Sequence, residues 1–141
     1  MHEMSADEIR HFLSAGTRTA HLATVRANGK PHVAPVWFVL DGDDLVFTTA
    51  ARSVKGRNLH RDPNVCLSVD HPTPMYSFVQ ITGEASLSED QGELLRWATI
   101  IGGRYMGADQ AASFGTRNAA TGELLVRVTP IRFVAEAELA D

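Results

Sequence analysis

The chain has 141 residues, with 13 lysines and arginines against 17 aspartates and glutamates, and a formal net charge of −4. That length suits one domain, and 44% hydrophobic with 21% charged residues is an ordinary composition for a globular core. The negative balance argues against a general nucleic-acid binder, which needs a broad basic surface.

Neither a membrane nor a secretory destination is indicated. No apolar run is long enough to span a bilayer, and the start at Met1–Ser5 does not resemble a signal peptide. Cys66 is the only cysteine, which excludes an intrachain disulfide and favours a reducing compartment. We therefore expect a cytoplasmic protein that forms a single domain over residues 1–141.

The first predicted element is a short helix. Ser5 and Glu8 have the spacing of a capping box, in which each side chain bonds the other residue's backbone N–H. The pattern predicts a helix that runs to about Leu13, within an N-terminal segment 1–15.

A hairpin follows. Residues 19–26 are mostly small or β-branched and predict a strand, and Asn28-Gly29 is a strong signal for a tight turn. The returning strand is expected over residues 31–40. Because Pro31 and Pro35 cannot donate to a β-ladder, this strand should lie at a sheet edge or carry a bulge.

The middle of the chain predicts two further strands around a helix. A turn at 41–44 leads into a strand at 45–49, and Ser53 can cap a helix that stops before Pro63. Residues 65–70 then alternate between apolar and polar, as in a half-buried strand.

The clearest alternation covers residues 79–87 and predicts another strand. Ser88 and Gln91 resemble a second capping box, which predicts a helix, and Gly102-Gly103 is expected to end or kink it. A second helical piece near 108–114 completes a helical insertion over 88–116. The last strand is expected from Glu123 to about Ala135.

These elements make a mainly β protein with about six strands and flanking helices. Near-continuous antiparallel pairing through short turns favours a closed or split β-barrel over a doubly wound parallel sheet.

One segment of the chain is strongly basic. Between Arg52 and Arg61 there are four cationic side chains (Arg52, Lys55, Arg57 and Arg61) and no carboxylate. The hydroxyls of Thr48 and Thr49 precede it, and a helix start with free N–H groups is predicted within it. Hydroxyls, cations and an open helix start together indicate an anion site, most naturally for phosphate.

No catalytic constellation accompanies this segment. The chain has no Cys-x-x-Cys, Gly-x-Ser-x-Gly, His-Glu-x-x-His, Walker or Rossmann pattern, and its histidines lack a metal-ligand spacing. We therefore assign no catalytic residue and no metal. An enzyme of this kind would leave the chemistry to a cofactor that it holds and orients.

The order of several motifs resembles the flavin/deazaflavin oxidoreductases related to pyridoxamine 5′-phosphate oxidase, and in particular their actinobacterial F420-dependent branch. The resemblance covers nearly the whole chain after the first helix. It is carried by Asn28-Gly29, Pro35-Val36-Trp37-Phe38, Phe47-Thr48-Thr49, Lys55-Gly56-Arg57-Asn58-Leu59, Arg61-Asp62-Pro63, the strand from Val79 to Ala85, Arg104-Tyr105-Met106-Gly107 and Leu124 to Pro130. It implies a Greek-key FMN-binding split barrel.

The same resemblance implies a cofactor site. The cofactor phosphate would be held by Lys55 with Arg52, Ser53, Thr48 and Thr49, and Asn58 would lie near it. Arg57 or Arg61 would reach the cofactor tail or its surroundings. The tricyclic ring would be lined by backbone groups of Pro35, Val36 and Trp37.

The implied activity is that of an F420-dependent reductase acting on a small electron-poor molecule. A homodimer with the cofactor at its interface is also implied, with Tyr76 and Phe78 as substrate or partner contacts and Tyr76 as a candidate proton donor. Residues 131–141 lack the substrate-binding segment of true pyridoxamine-phosphate oxidase, so that activity is not expected.

Three alternatives remain open from the sequence. The cofactor could be FMN, which ends in a phosphate monoester, instead of F420, whose phosphodiester leads to a lactyl-oligoglutamate tail. The protein could bind F420 as a carrier without turnover. It could also be a haem-binding relative, although no histidine is assigned as a ligand.

Overall fold

The computed structural model describes residues 1–141. The strands are β1 (His2–Glu3), β2 (Ala20–Val25), β3 (Pro31–Val36), β4 (Val39–Asp41), β5 (Asp44–Ala50), β6 (Asn64–His71), β7 (Ser77–Ser88) and β8 (Glu123–Ala137). The helices are α1 (Ala6–Ser14), α2 (Val54–Arg61), α3 (Gln91–Met106) and α4 (Ala111–Asn118), with a 3-10 turn at Ala108–Gln110.

The strands form one antiparallel sheet in the order β3-β2-β6-β7-β8-β5-β4, and β1 pairs with β8. The two end strands are close in the chain: β3 ends at Val36 and β4 begins at Val39. Three residues span at most about 11 Å, so the sheet must curl until its ends almost meet. The fold is therefore a split barrel, as predicted, and the split lies at residues 36–39.

The helix at the start of the chain is confirmed. Ser5 caps α1 by accepting a hydrogen bond from the Glu8 N–H, and the Glu8 side chain accepts from the Ser5 N–H. Phe12 and Leu13 from this helix are buried in the core.

The returning strand of the first hairpin is shorter than predicted. It breaks at Trp37-Phe38, so residues 31–40 form two strands at opposite ends of the sheet instead of one. Side chains of α3 bond the backbone at this break: Phe38 N–H donates to the Tyr105 hydroxyl, and Arg104 donates to the Phe38 carbonyl. The prediction that this strand lies at an edge is correct.

The helical insertion also differs in detail. Asp90 caps α3 through a bond from the Glu93 N–H, whereas Ser88 belongs to β7, so the predicted Ser88–Gln91 capping box is wrong. The helix continues through Gly102-Gly103 to Met106. A Cβ on Gly102 would lie 2.6 Å from the Phe114 Cβ, so this glycine permits close packing of α4 against α3.

Two hydrophobic clusters hold the molecule together. The larger fills the barrel and includes Phe38, Phe47 and Leu67. The smaller packs α3 on the outer faces of β4, β5 and β8, through Leu94, Trp97 and neighbouring residues. The α3 helix therefore covers the side of the barrel next to the split. No helix is long and apolar enough to cross a membrane.

Candidate cofactor site

A cavity of about 410 Å³ opens beside the split. We call it the split cavity. The ends of β3 and β5, the start of α2, and residues from α3, α4 and β8 contribute to its wall. Its lining residues are Thr19, Pro35, Val36, Trp37, Thr48, Thr49, Ala50, Ser53, Lys55, Ile101, Asn118 and Glu123.

One corner of the split cavity is rich in hydrogen-bond donors. Thr48 and Thr49 end β5, and Ser53 caps α2 by accepting from the Gly56 N–H at 3.0 Å. The Thr49 and Ser53 hydroxyl oxygens are 3.2 Å apart. The first two N–H groups of α2, on Val54 and Lys55, bond no group of the protein, and of these two residues Lys55 lines the split cavity.

Gly56 makes this corner possible. A Cβ at this position would overlap the Ala50 carbonyl oxygen and would lie 2.8 Å from the Ala51 carbonyl oxygen. Because glycine has no Cβ, the first turn of α2 can sit directly against the end of β5. The helix start and the threonine hydroxyls are thereby brought into one wall.

Lys55 is the one cation in the lining of the split cavity. It is half-buried and forms no ion pair. In contrast, Arg10 pairs with Asp7 and Asp43, and Arg127 pairs with Asp41 and Asp44. The Lys55 ammonium is therefore available to an anion in the cavity.

The lining also includes one aromatic ring, that of Trp37. The Trp37 ring is stacked on Tyr105, with centroids 4.8 Å apart and planes 4° from parallel, and 40% of Trp37 remains exposed. The Tyr105 hydroxyl donates to the Arg18 carbonyl at 2.7 Å and accepts from Phe38 N–H at 3.2 Å. Burial raises the pKa of Tyr105, so its hydroxyl keeps the proton that the first bond uses.

Arg57 and Asn58 are placed elsewhere. Arg57 lines a neighbouring groove of about 310 Å³ together with Arg26 and Arg61, which we call the arginine groove. Asn58 is buried and donates to the Thr24 hydroxyl at 3.0 Å, and its carbonyl oxygen accepts from Arg61 at 3.1 Å. Arg61 also donates to the Val25 carbonyl. The basic segment is therefore divided between two faces of α2.

Two other predicted residues lie outside both concavities. Arg52 is exposed between β5 and α2 and lines neither of them. Tyr76 lies in the β6–β7 connection with 45% of its surface exposed and is likewise absent from both linings. Of the ten residues predicted for the cofactor, seven line the split cavity: Pro35, Val36, Trp37, Thr48, Thr49, Ser53 and Lys55.

Several lining residues were missed by sequence reasoning. Ile101, Asn118 and Glu123 come from the helical insertion and the start of β8, and Arg26 comes from the first hairpin. No local motif marks them, because they reach the site only through long-range packing. Tyr105 was noted only as part of a motif, without a role.

A larger cavity of about 520 Å³ lies away from the split, between α1, the β4–β5 turn and β8. Its arginine, Arg10, is already paired with Asp43 at 2.9 Å. It therefore offers no free positive charge to a phosphate. The donor set of the split cavity, with the exposed part of Trp37, is the better match for a phosphorylated tricyclic cofactor.

The comparisons identify the family. The family described as pyridoxamine 5′-phosphate oxidase matches residues 5–135 of this chain. The chain belongs to this family. No curated protein matches it.

Solved structures of this family type agree with the fold. A conserved hypothetical protein from Mycobacterium tuberculosis is 26% identical with a TM-score of 0.84, and the match covers 96% of this chain and 86% of the other. A protein described as an F420 reductase is 28% identical with a TM-score of 0.69, covering 87% and 94%. The haem storage protein HutZ from Vibrio cholerae is 21% identical with a TM-score of 0.75, covering 96% and 98%, which supports the fold alone.

Proposed function

We propose that this protein is an F420-dependent reductase of a small electron-poor molecule. The observation that carries the proposal is the joint placement of Trp37, Thr49 and Lys55 in one cavity. The residues that the resemblance implies for the ring and for the phosphate come from separate segments, yet they line the same concavity. The similarity to an F420 reductase supports the choice of coenzyme.

The phosphate would bind at the Lys55 corner. The Lys55 ammonium, the Thr48 hydroxyl and the free Lys55 N–H can donate to phosphate oxygens, and the Thr49 hydroxyl can do so once it turns away from the Ser53 hydroxyl. The Ser53 hydroxyl already donates to the Ala50 carbonyl and accepts from Gly56, so its main role is to hold the start of α2.

The arginine groove favours F420 over FMN. Arg26 and Arg57 make no hydrogen bond or ion pair through their side chains, and Arg61 supports the groove wall. The groove lies between α2 and the turn of the first hairpin, and α2 also contributes Lys55 to the split cavity. Carboxylates of an oligoglutamate tail would find positive charge there, whereas FMN has no group that extends so far. Each exposed pair contributes about 0–1 kcal/mol.

When bound, reduced F420 supplies a hydride equivalent to the electron-poor acceptor. The protein's part is to fix the ring beside the backbone of Pro35–Trp37 and to leave one ring face open to the substrate. The proton that completes the reduction comes from water or from a hydroxyl. No side chain of the split cavity is needed as an acid.

The homodimer belongs to the same proposal. The split cavity is open, and Tyr76 lies outside it in one chain. A second copy that closes the cavity would bring further residues to the ring and would provide the route by which Tyr76 or Phe78 contacts a substrate.

The first test is a binding titration of purified protein with F420 and with FMN, followed by fluorescence. Lys55→Ala should raise the Kd for F420 by about tenfold or more, because a charge-assisted bond is lost. Lys30→Ala is the matched control, since Lys30 is the other lysine and lies exposed in the first hairpin. Equal affinities of Lys55→Ala and Lys30→Ala for F420 would show that Lys55 does not bind the coenzyme.

A second test separates the coenzymes and the activity. Arg57→Ala should raise the Kd for F420 by up to about fivefold and leave the Kd for FMN unchanged. Arg132→Ala is the control, because Arg132 is an exposed arginine. Oxidation of reduced F420 by a panel of enones, quinones and nitro compounds then distinguishes a reductase from a carrier. Tight FMN binding without F420 binding would favour the FMN-dependent alternative.

A further inference from the structure

Glu123 is the one acidic residue in the lining of the split cavity. It starts β8, where it pairs with Ala50 at the end of β5. Its backbone N–H donates to the Ala120 carbonyl at 3.1 Å, and the preceding Gly122 carbonyl accepts from Ala51 N–H at 2.8 Å. These bonds fix the backbone of Glu123, and the residue lines the split cavity together with Thr49 and Lys55.

A carboxyl group is an unexpected neighbour for an anion. Partial burial raises the pKa of Glu123, and the positive charge of Lys55 acts in the opposite direction. Lys55 forms no direct ion pair with it. An anionic ligand in this corner is therefore attracted by the Lys55 ammonium and repelled by the Glu123 carboxylate.

The balance depends on how many negative charges the ligand brings. A phosphate monoester carries about −1.5 to −2 near neutral pH, because its second pKa is about 6. A phosphodiester has only one ionisable oxygen and carries a single negative charge. Repulsion by the Glu123 carboxylate and attraction by Lys55 therefore both act nearly twice as strongly on the monoester, so the carboxylate offsets the advantage that Lys55 alone would give the monoester.

We propose that Glu123 is a specificity-determining residue that selects a phosphodiester coenzyme against a phosphate monoester. The proposal rests on the proposed function, since it assumes that the cofactor phosphate binds in the split cavity. Without Glu123, Lys55 would favour the more highly charged phosphate of FMN, and the Glu123 carboxylate removes that advantage. Glu123 needs no contact with F420 for this role, because it acts by repelling the second negative charge of the monoester.

The experiment compares two ligands that share one ring and differ only at the phosphate: FMN and its methyl phosphodiester. Wild-type protein, Glu123→Gln and Glu123→Asp are titrated with both at pH 7.5, and folding of each variant is checked by circular dichroism. Glu84→Gln is the matched control, because Glu84 is an exposed strand glutamate away from the cavity.

We expect Glu123→Gln to tighten FMN binding by about tenfold and methyl-ester binding by less than about threefold. Glu123→Asp keeps the charge and should keep most of the preference for the diester, and Glu84→Gln should match wild type. An unchanged monoester-to-diester ratio in Glu123→Gln, with Lys55-dependent binding of either ligand intact, overturns this inference alone. If neither ligand nor F420 binds in a Lys55-dependent way, the proposed function fails and the role of Glu123 fails with it.

Discussion

Trp37 lies stacked on Tyr105 across the split of the barrel, with ring planes 4° from parallel and centroids 4.8 Å apart. Trp37 follows β3, at one end of the sheet, and Tyr105 belongs to α3, which covers the side of the barrel near the other end. The contact thus joins the helical insertion to the wall proposed to receive the coenzyme ring. The position of this wall depends on α3 as well as on the sheet.

The Tyr105 hydroxyl should stabilise the split independently of the stacking. Tyr105→Phe keeps the ring but removes the bonds to the Arg18 carbonyl and from Phe38 N–H. We expect the free energy of unfolding in urea to fall by about 1–3 kcal/mol, because buried backbone groups lose their partner. Tyr76→Phe is the control, since that hydroxyl is exposed. Equal stability of the two variants would contradict the role given to the Tyr105 hydroxyl.

Asn58 should contribute to stability and not to phosphate binding, because it lines the arginine groove and not the split cavity. Its amide donates to the Thr24 hydroxyl, which is only 1% exposed, and accepts from Arg61. Asn58→Ala removes both bonds and leaves the buried Thr24 hydroxyl without this partner, while Arg61 keeps its bond to the Val25 carbonyl, so the variant should lose about 1–3 kcal/mol of unfolding free energy. Under conditions where the variant is fully folded, its Kd for FMN, which does not extend into the arginine groove, should stay within about twofold of wild type.

Asn118→Ala should have the opposite effect to Asn58→Ala. Asn118 lines the split cavity and makes no hydrogen bond through its side chain, so its removal should change affinity more than stability. If Asn58→Ala weakened FMN binding while leaving urea stability unchanged, Asn58 would have to be counted as a cofactor contact.

Local patterns predicted the elements well because short-range chemistry decides them. The Ser5–Glu8 capping box, the Asn28-Gly29 turn and the Ser53 cap are complete within a few residues, and each is present in the structure. The strand break at Trp37-Phe38 could not be predicted in this way. It depends on Arg104 and Tyr105, more than sixty residues further along the chain.

The division of the basic segment has a similar explanation. The positive charges at 52–61 were recognisable from composition, but helix geometry decides which face each one occupies. Lys55 and Arg57 are two positions apart and point to different sides of α2, whereas Arg57 and Arg61 are four apart and share the arginine groove. Arg26 lines the same groove because the first hairpin packs beside α2, and no local sequence pattern indicated this contact.

The Glu123 carboxyl group should make the stability of the unliganded protein depend on pH. Burial raises its pKa in the folded state, against the smaller effect of Lys55. The folded protein therefore binds more protons at this site than the unfolded chain. The resulting contribution to the free energy of unfolding falls as pH rises from the unfolded pKa, about 4.3, through the raised folded value.

Glu123→Gln removes this dependence. We expect the variant to be more stable than wild type at pH 7–8 and the difference to shrink toward zero as the pH falls below about 4.3, measured by urea unfolding at each pH. Glu84→Gln, at an exposed position, serves as the control. A stability difference between Glu123→Gln and wild type that was the same at every pH would show that the titration of Glu123 is not its source.

Gly56 should be required for the close approach of α2 to β5. In an exposed helix, alanine in place of glycine stabilises by about 1 kcal/mol. Here the added Cβ would overlap the Ala50 carbonyl oxygen and lie 2.8 Å from that of Ala51, so Gly56→Ala should destabilise by about 1–3 kcal/mol and displace the helix start. Gly92→Ala is the control, because Gly92 is also in a first helical turn but its nearest neighbour would be the Asp90 side chain at 3.4 Å. The two substitutions should therefore change the urea midpoint in opposite directions. Stabilisation by both would mean that the Lys55 corner does not depend on this contact.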